Sequence, residues 1–108
     1  MLFKPEHIKM ILDGFKTATR RVWKKPMVRV GGIYKVKIKM LSKEYACKIR
    51  VLKLYKQQLA YVTKEDAKKE GYDTLMGFRD TWIKINGEYD LNQVVDVIEF
   101  EKVIESEE

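Results

Sequence analysis

Between Gly14 and Arg29 the chain reads GFKTATRRVWKKPMVR. This stretch holds six cations, Lys16, Arg20, Arg21, Lys24, Lys25 and Arg29, and no acidic residue. Guanidinium and ammonium groups at this density can hold the phosphates of a polyanion. A lysine crowded by other cations can instead lose affinity for its proton and serve as a base on the floor of a reactive pocket. The same alternation of small hydroxylated and basic residues also suits a solvated strand face. Spacing limits the second option. Lys16 and Thr19 are three apart, so a regular strand sends them to opposite faces. They can share a pocket only if the chain turns before the strand settles, which Gly14 permits.

The whole chain has 108 residues, a net charge of +6 and 45% apolar content, which suits one domain with its own core. The charge is unevenly spread. Residues 1–56 carry sixteen Lys or Arg against three Asp or Glu, while residues 57–108 carry six against thirteen. A basic side able to attract phosphates is one reading of this split, and mutual neutralisation of the two halves on folding is the other. No apolar run approaches membrane-spanning length, and the opening MLFKPEHIK breaks into charge at once, so neither a membrane span nor a secretory leader is expected. A cytoplasmic protein fits best. One cysteine, Cys47, and one histidine, His7, do not make a metal site, and no cofactor is expected.

The elements that must position these residues follow from periodicity. PEHIKMILDG predicts a short helix with Pro5 at its start, Ile8, Ile11 and Leu12 on one face, and Gly14 as terminator. TATRRVW alternates like a strand. KKPMVRVGG reads as a loop. IYKVKIKM predicts a strand with Tyr34, Val36, Ile38 and Met40 facing one way. In YACKIRVLKLY the apolar parity flips between Val51 and Leu52, which predicts a β-bulge. VVDVIEFEKV flips between Val97 and Ile98 in the same manner. Two helices are predicted between these strands. The first has Thr63 as N-cap, Asp66 at the capping-box position and Gly71 as terminator. The second starts at Asp73 or Thr74, carries Leu75, Phe78 and Trp82 on one side, and stops at Asn86-Gly87. The fold class expected is α+β: a small curved mixed β-barrel with a short N-terminal helix and two helices before the last strand, over residues 1–104, followed by a frayed acidic tail at 105–108.

ILDGFKTATRR resembles the opening signature of the ASCH domain family, a branch of the PUA-like superfamily: a helix ending in Gly, then Lys-Thr, then Thr-x-Arg. The segments VGGIYKVKI, EGYDTLMGFRDTW and VVDVIEFEKV are similar to later segments of that family, in the same order. The tandem Arg20-Arg21 departs from it, since the family shows one strong Arg in this strand, matched here to Arg21. The resemblance implies a PUA-like barrel and an RNA-associated module. One branch of the family consists of small amidohydrolases that deacetylate N4-acetylcytidine, and by position its working residues match Lys16, Thr19 and Glu70.

Hydrolysis of an N-acyl group needs a nucleophile, a base and a proton donor for the leaving nitrogen. A Thr hydroxyl attacks only if its proton is taken. Arg20 and Arg21 push Lys16 toward being that base, and a Glu beside it pushes the other way, so a base and a fixed cation are both open for Lys16. Two main functions are therefore expected. One is a module that binds RNA or a modified nucleoside in a basic cleft, with Arg20, Arg21, Lys24, Lys25 and Arg29 as its cations and Tyr72 as a stacking platform. The other is a metal-free amidohydrolase built on Lys16, Thr19 and Glu70. An adaptor for an acidic protein partner is a third. Trp23, Phe78 and Trp82 read as core, and His7 and Cys47 as structural.

Overall fold

A computed structural model describes residues 1–104; the acidic tail at 105–108 lies outside the described residues. Helix α1 spans Pro5–Leu12, buries Ile8 and Ile11, and has Pro5 in its first turn, where the missing N–H costs nothing. It ends before Gly14, whose φ of 84° only glycine adopts freely. Helix α2, Lys64–Lys69, opens with a full capping box. The Thr63 hydroxyl accepts from the Asp66 N–H at 3.1 Å, and the Asp66 carboxylate accepts from the Thr63 N–H at 2.9 Å. After α2 the chain turns through Gly71 at φ 102°. A Cβ there would also come within 2.5 Å of the Met10 sulfur, so that side chain would have to move if residue 71 were not glycine. Helix α3, Leu75–Asn86, is capped by Thr74, whose hydroxyl accepts from the Gly77 N–H.

Strands β1 (Ala18–Arg21), β2 (Ile33–Val36), β3 (Cys47–Gln58) and β4 (Val94–Lys102) form one sheet in the order β1-β4-β3-β2, each pair antiparallel. The bulge expected in β3 is present. Val51 faces Phe100 and Lys53 faces Glu99, so Leu52 is the extra residue and bends the strand. The inward side resumes at Leu54, whereas Leu52 is exposed. No bulge accompanies the second expected flip. The β4 register runs unbroken through Val97 and Ile98, and both are buried because β4 is covered on both faces. Val95 and Val97 pack with Phe78 and Trp82 of α3, while Ile98 and Phe100 pack with Ile8 and Ile11 of α1. Each such buried side chain stabilises the fold by about 1.5–3 kcal/mol. The IYKVKIKM strand is shorter than its alternation suggests: it stops at Val36, and Ile38 and Met40 are exposed.

The reason is the N-terminal segment. The Phe3 N–H donates to the Lys37 carbonyl, and the Lys37 N–H donates to the Met1 carbonyl, both at 2.9 Å, which makes a parallel bridge at Leu2 and Lys37. From the opposite edge, Arg21 Nη2 on β1 donates to the Leu2 carbonyl at 2.7 Å. Residues 1–3 thus span the gap between β1 and β2. The architecture is a curled, four-stranded antiparallel half-barrel with helices, and among the described residues its one parallel pairing is this bridge.

Candidate functional site

β1 is an edge strand, so both of its faces meet at an open margin. A cavity of about 360 Å³ lies along that margin, between the N-terminal segment with α1 on one side and α3 on the other. Lys16, Thr19, Arg20, Arg21, Glu70 and Tyr72 all line it. The turn at Gly14 sets Lys16 off the regular strand. The Lys16 N–H bonds back to the Met10 carbonyl and the Thr17 N–H bonds across to the Lys69 carbonyl, which fixes the lysine beside the end of α2.

Lys16, Thr19, Arg20 and Glu70 each expose 5% or less of their surface. Lys16 Nζ donates to Glu70 Oε1 at 2.9 Å and to the Glu70 carbonyl at 3.1 Å. Arg20 Nη1 donates to the other oxygen, Oε2, at 2.8 Å. Glu70 is thereby clamped between two cations. Arg20 continues the network, with Nε on Gln57 Oε1 at 3.1 Å and Nη2 at 3.5 Å from Asp66. Such charges persist inside a protein only because each is paired. Burial pulls the Lys16 ammonium below the ordinary lysine value; Glu70 opposes this, and Arg21 and Arg20 reinforce it.

On the other face of β1, Arg21 lies over the Phe3 ring at 4.6 Å. Its Nε donates to the Thr19 hydroxyl at 3.3 Å. Among the described residues Arg21 has no carboxylate within ion-pair distance. Burial lowers its proton affinity, with Glu70 acting against this. The hydrogen bonds found at Lys16 Nζ go to Glu70 and the one at the Thr19 hydroxyl comes from Arg21. Opposite them, His7 Nε2 and the Tyr72 hydroxyl are 3.0 Å apart.

The family model for the ASCH domain matches residues 1–104. The chain belongs to the ASCH domain family. No protein of curated function matches it in sequence. Solved ASCH structures share the fold at low identity. The ASCH domain of Lactobacillus crispatus JV V101 superposes with a TM-score of 0.74 at 17% identity, covering 90% of this chain and 70% of that one. The ASCH protein of Zymomonas mobilis gives 0.63 at 13% identity, covering 94% and 67%. The hypothetical protein PH0355 gives 0.70 at 17% identity, with 94% of each chain covered.

The remaining residues singled out in the sequence occupy different places on this ASCH domain. Arg20 is not on the exposed basic surface. Its side chain is 1% exposed and is spent on Glu70, Gln57 and Asp66, because its parity on β1 turns it toward α2 and Phe78. Lys24, Lys25 and Arg29 are exposed, lie outside the cavity lining, and have no ion pair to another described residue. Trp23 is half-buried and joins both the α1 core and the cavity wall. The Tyr72 ring meets His7 and Phe78 edge-on, and its hydroxyl is hydrogen-bonded. Sequence alone reads His7 as structural and does not single out Thr81; both line the cavity. A lone His on a helix and a Thr in a longer helix carried no signal of their own. Among the described residues no three His, Cys, Asp or Glu side chains gather closely enough to hold a metal, and no helix is long and apolar enough to cross a membrane.

Proposed function

We propose that this ASCH domain binds a modified nucleoside in the cavity along β1, with RNA flanking it on the exposed cations of the following loop. The observation that carries this reading is the cavity itself. Its volume of about 360 Å³ falls in the range of small-ligand sites. Its wall combines the buried Lys16–Glu70–Arg20 group with the Arg21 guanidinium, which has no carboxylate partner among the described residues. Arg21 is only half-buried, and a cation lining a cavity without a counter-charge offers its remaining N–H groups to an anionic or carbonyl oxygen of a ligand. Val22 and Trp23 stand in the cavity wall immediately before Lys24 and Lys25, so a strand whose base enters the cavity would run its phosphates toward those lysines. Calorimetric titration with cytidine, N4-acetylcytidine and short single-stranded RNA tests this. Binding of a nucleoside that is lost in Arg21→Ala supports it, and no heat with any nucleoside or RNA at low salt overturns it.

A second reading is metal-free hydrolysis of an N-acylated nucleobase such as N4-acetylcytidine. Two observations favour it: the burial that depresses the Lys16 proton affinity, and the Thr19 hydroxyl that accepts from Arg21. A cation on the hydroxyl oxygen favours its ionised form. With its oxygen accepting, the hydroxyl keeps its own proton available to a base. Lys16 uses two of its three N–H positions on Glu70 and lines the cavity. Release of cytidine from N4-acetylcytidine is the deciding assay.

A further inference from the structure

The charges in the cavity wall do not cancel. Four cations line it, Lys4, Lys16, Arg20 and Arg21, against one carboxylate, Glu70. Glu70 is committed to Lys16 and Arg20, and Arg20 also lies 3.5 Å from Asp66 behind the wall. Those two cations and two acids balance one another. Lys4 and Arg21 remain, and neither has an ion pair to another described residue. Asp96 is the register partner of Arg21 across the sheet, yet its ion pair is with Lys56, at 3.2 Å. The Arg21 guanidinium is also held in one orientation. It lies over the Phe3 ring at 4.6 Å, its Nε donates to the Thr19 hydroxyl at 3.3 Å and its Nη2 donates to the Leu2 carbonyl at 2.7 Å. A guanidinium carries five N–H groups, so these two bonds leave three, among them both on Nη1. Nη1 and Nη2 sit side by side in a plane, which fits two oxygens of one oxyanion together. Lys4 follows two residues after Leu2, whose carbonyl anchors Arg21, and is the exposed member of the two.

A neutral base and sugar would leave both charges uncompensated, whereas an oxyanion compensates them. On a nucleoside the oxyanion at hand is a phosphate ester. We infer that the ligand carries a phosphate monoester held by Arg21 and Lys4, so that the cavity takes a nucleoside monophosphate in preference to the free nucleoside. This rests on the proposed nucleoside-binding reading and narrows its ligand class. Arg21 takes two phosphate oxygens on its remaining N–H groups, and Lys4 approaches from the solvent side as a point charge. Inside a half-buried wall such charge-assisted bonds are stronger than the same contacts on an open surface, where water and salt screen them.

The test is calorimetric titration with N4-acetylcytidine, its 5′- and 3′-monophosphates, and inorganic phosphate. The readout is the ratio of affinities between monophosphate and nucleoside, or of kcat/KM where the acetyl group turns over. The wild-type protein is expected to bind one of the two monophosphates roughly ten- to a hundred-fold more tightly than the nucleoside, the scale of a charge-assisted contact. Arg21→Lys keeps the charge and loses the planar fork, so it should remove most of that gain. Lys4 is exposed, so Lys4→Gln probes the same site without disturbing the core, and it should reduce the ratio as well. Lys43→Gln makes the same change of charge on an exposed residue outside the cavity lining and should leave the ratio unchanged. An equal loss in Lys43→Gln would mean general attraction to a basic protein and overturns the inference. So does a gain that survives both Arg21→Lys and Lys4→Gln, since the phosphate then sits elsewhere. Inorganic phosphate that binds as tightly as the monophosphates would make this a bare anion site, which also overturns it. No gain for either monophosphate overturns this inference alone. Failure of the nucleoside and both monophosphates to bind overturns the nucleoside reading and this inference with it.

Discussion

Arg20 and Glu70, fifty positions apart in sequence, meet inside the protein with Nη1 and Oε2 2.8 Å apart, and this contact locks β1 to the end of α2. Lys16 holds the other oxygen of the same carboxylate. Each carboxylate oxygen therefore already accepts one hydrogen bond from a cation. Its first task in the resting protein is to neutralise Lys16 and Arg20.

From that pairing, Arg20→Leu is expected to destabilise the fold by about 3–5 kcal/mol, the usual cost of breaking a buried ion pair from one side. Urea unfolding monitored by tryptophan fluorescence measures it. The combined change Arg20→Leu with Asp66→Asn should cost less than the two single changes added together, since they share one network. A cost under about 1 kcal/mol for Arg20→Leu alone would show that water reaches the site in solution.

The single histidine supplies a pH dependence. Burial holds the His7 proton affinity below its ordinary value of 6.5, with Lys16 acting in the same direction. The unfolded chain then binds more protons than the folded one as pH falls past 6.5. The stability that His7 contributes is fully present above 6.5 and is lost as pH falls through the lower folded value. The Met1 amine is also lowered from 8.0, so the comparison must be between proteins. Between about pH 7 and pH 5 the urea midpoint of the wild type should drop more steeply than that of His7→Gln. Parallel curves would mean that the imidazole is free to ionise in the folded state.

What sequence alone reads correctly in the fold is local. The helix stop at Gly14, the capping box at Thr63 and Asp66, and the bulge in β3 each rest on neighbours within a few positions, and each is found where periodicity put it. What sequence could not give depends on contacts far along the chain. Arg20 and Arg21 look equivalent as text, yet strand alternation sends one to Glu70 and the other to Leu2. The N-terminal segment ends β2 early by pairing with Lys37, and nothing near Lys37 announces it. Val97 and Ile98 mimic a bulge because both faces of β4 are covered, which is a property of the sheet order and not of β4 itself.

If RNA binds beside the cavity, its phosphates fall to Lys24, Lys25 and Arg29, since Arg20 is committed inside. Three contacts with a single strand predict that log K falls against log salt with a slope of roughly 2. Lys24→Ala combined with Lys25→Ala should weaken binding of all sequences alike and cut the slope to below about 1. Filter binding at several salt concentrations measures both. A slope unchanged by the double replacement would place the phosphates on another surface.

Turnover gives the sharpest separation between a binding site and a reactive one. If N4-acetylcytidine is hydrolysed, Thr19→Ala removes the nucleophile and Lys16→Met removes the base with little change of volume. Each should abolish most activity, because a nucleophile and its base act as one unit. Lys16→Met also leaves Glu70 facing Arg20 alone, which preserves one buried pair and keeps the fold testable by circular dichroism. Glu70→Gln is the more telling change. It keeps the shape and loses the charge that holds Lys16, so the lysine should fall further in proton affinity. If Lys16 is the base, the rising limb of the pH–rate profile should move to lower pH in Glu70→Gln even where the maximal rate is reduced. If Lys16 is only a fixed cation, that limb should stay in place while the rate falls. Activity that survives both Thr19→Ala and Lys16→Met would exclude this pair and leave the cavity as a binding site.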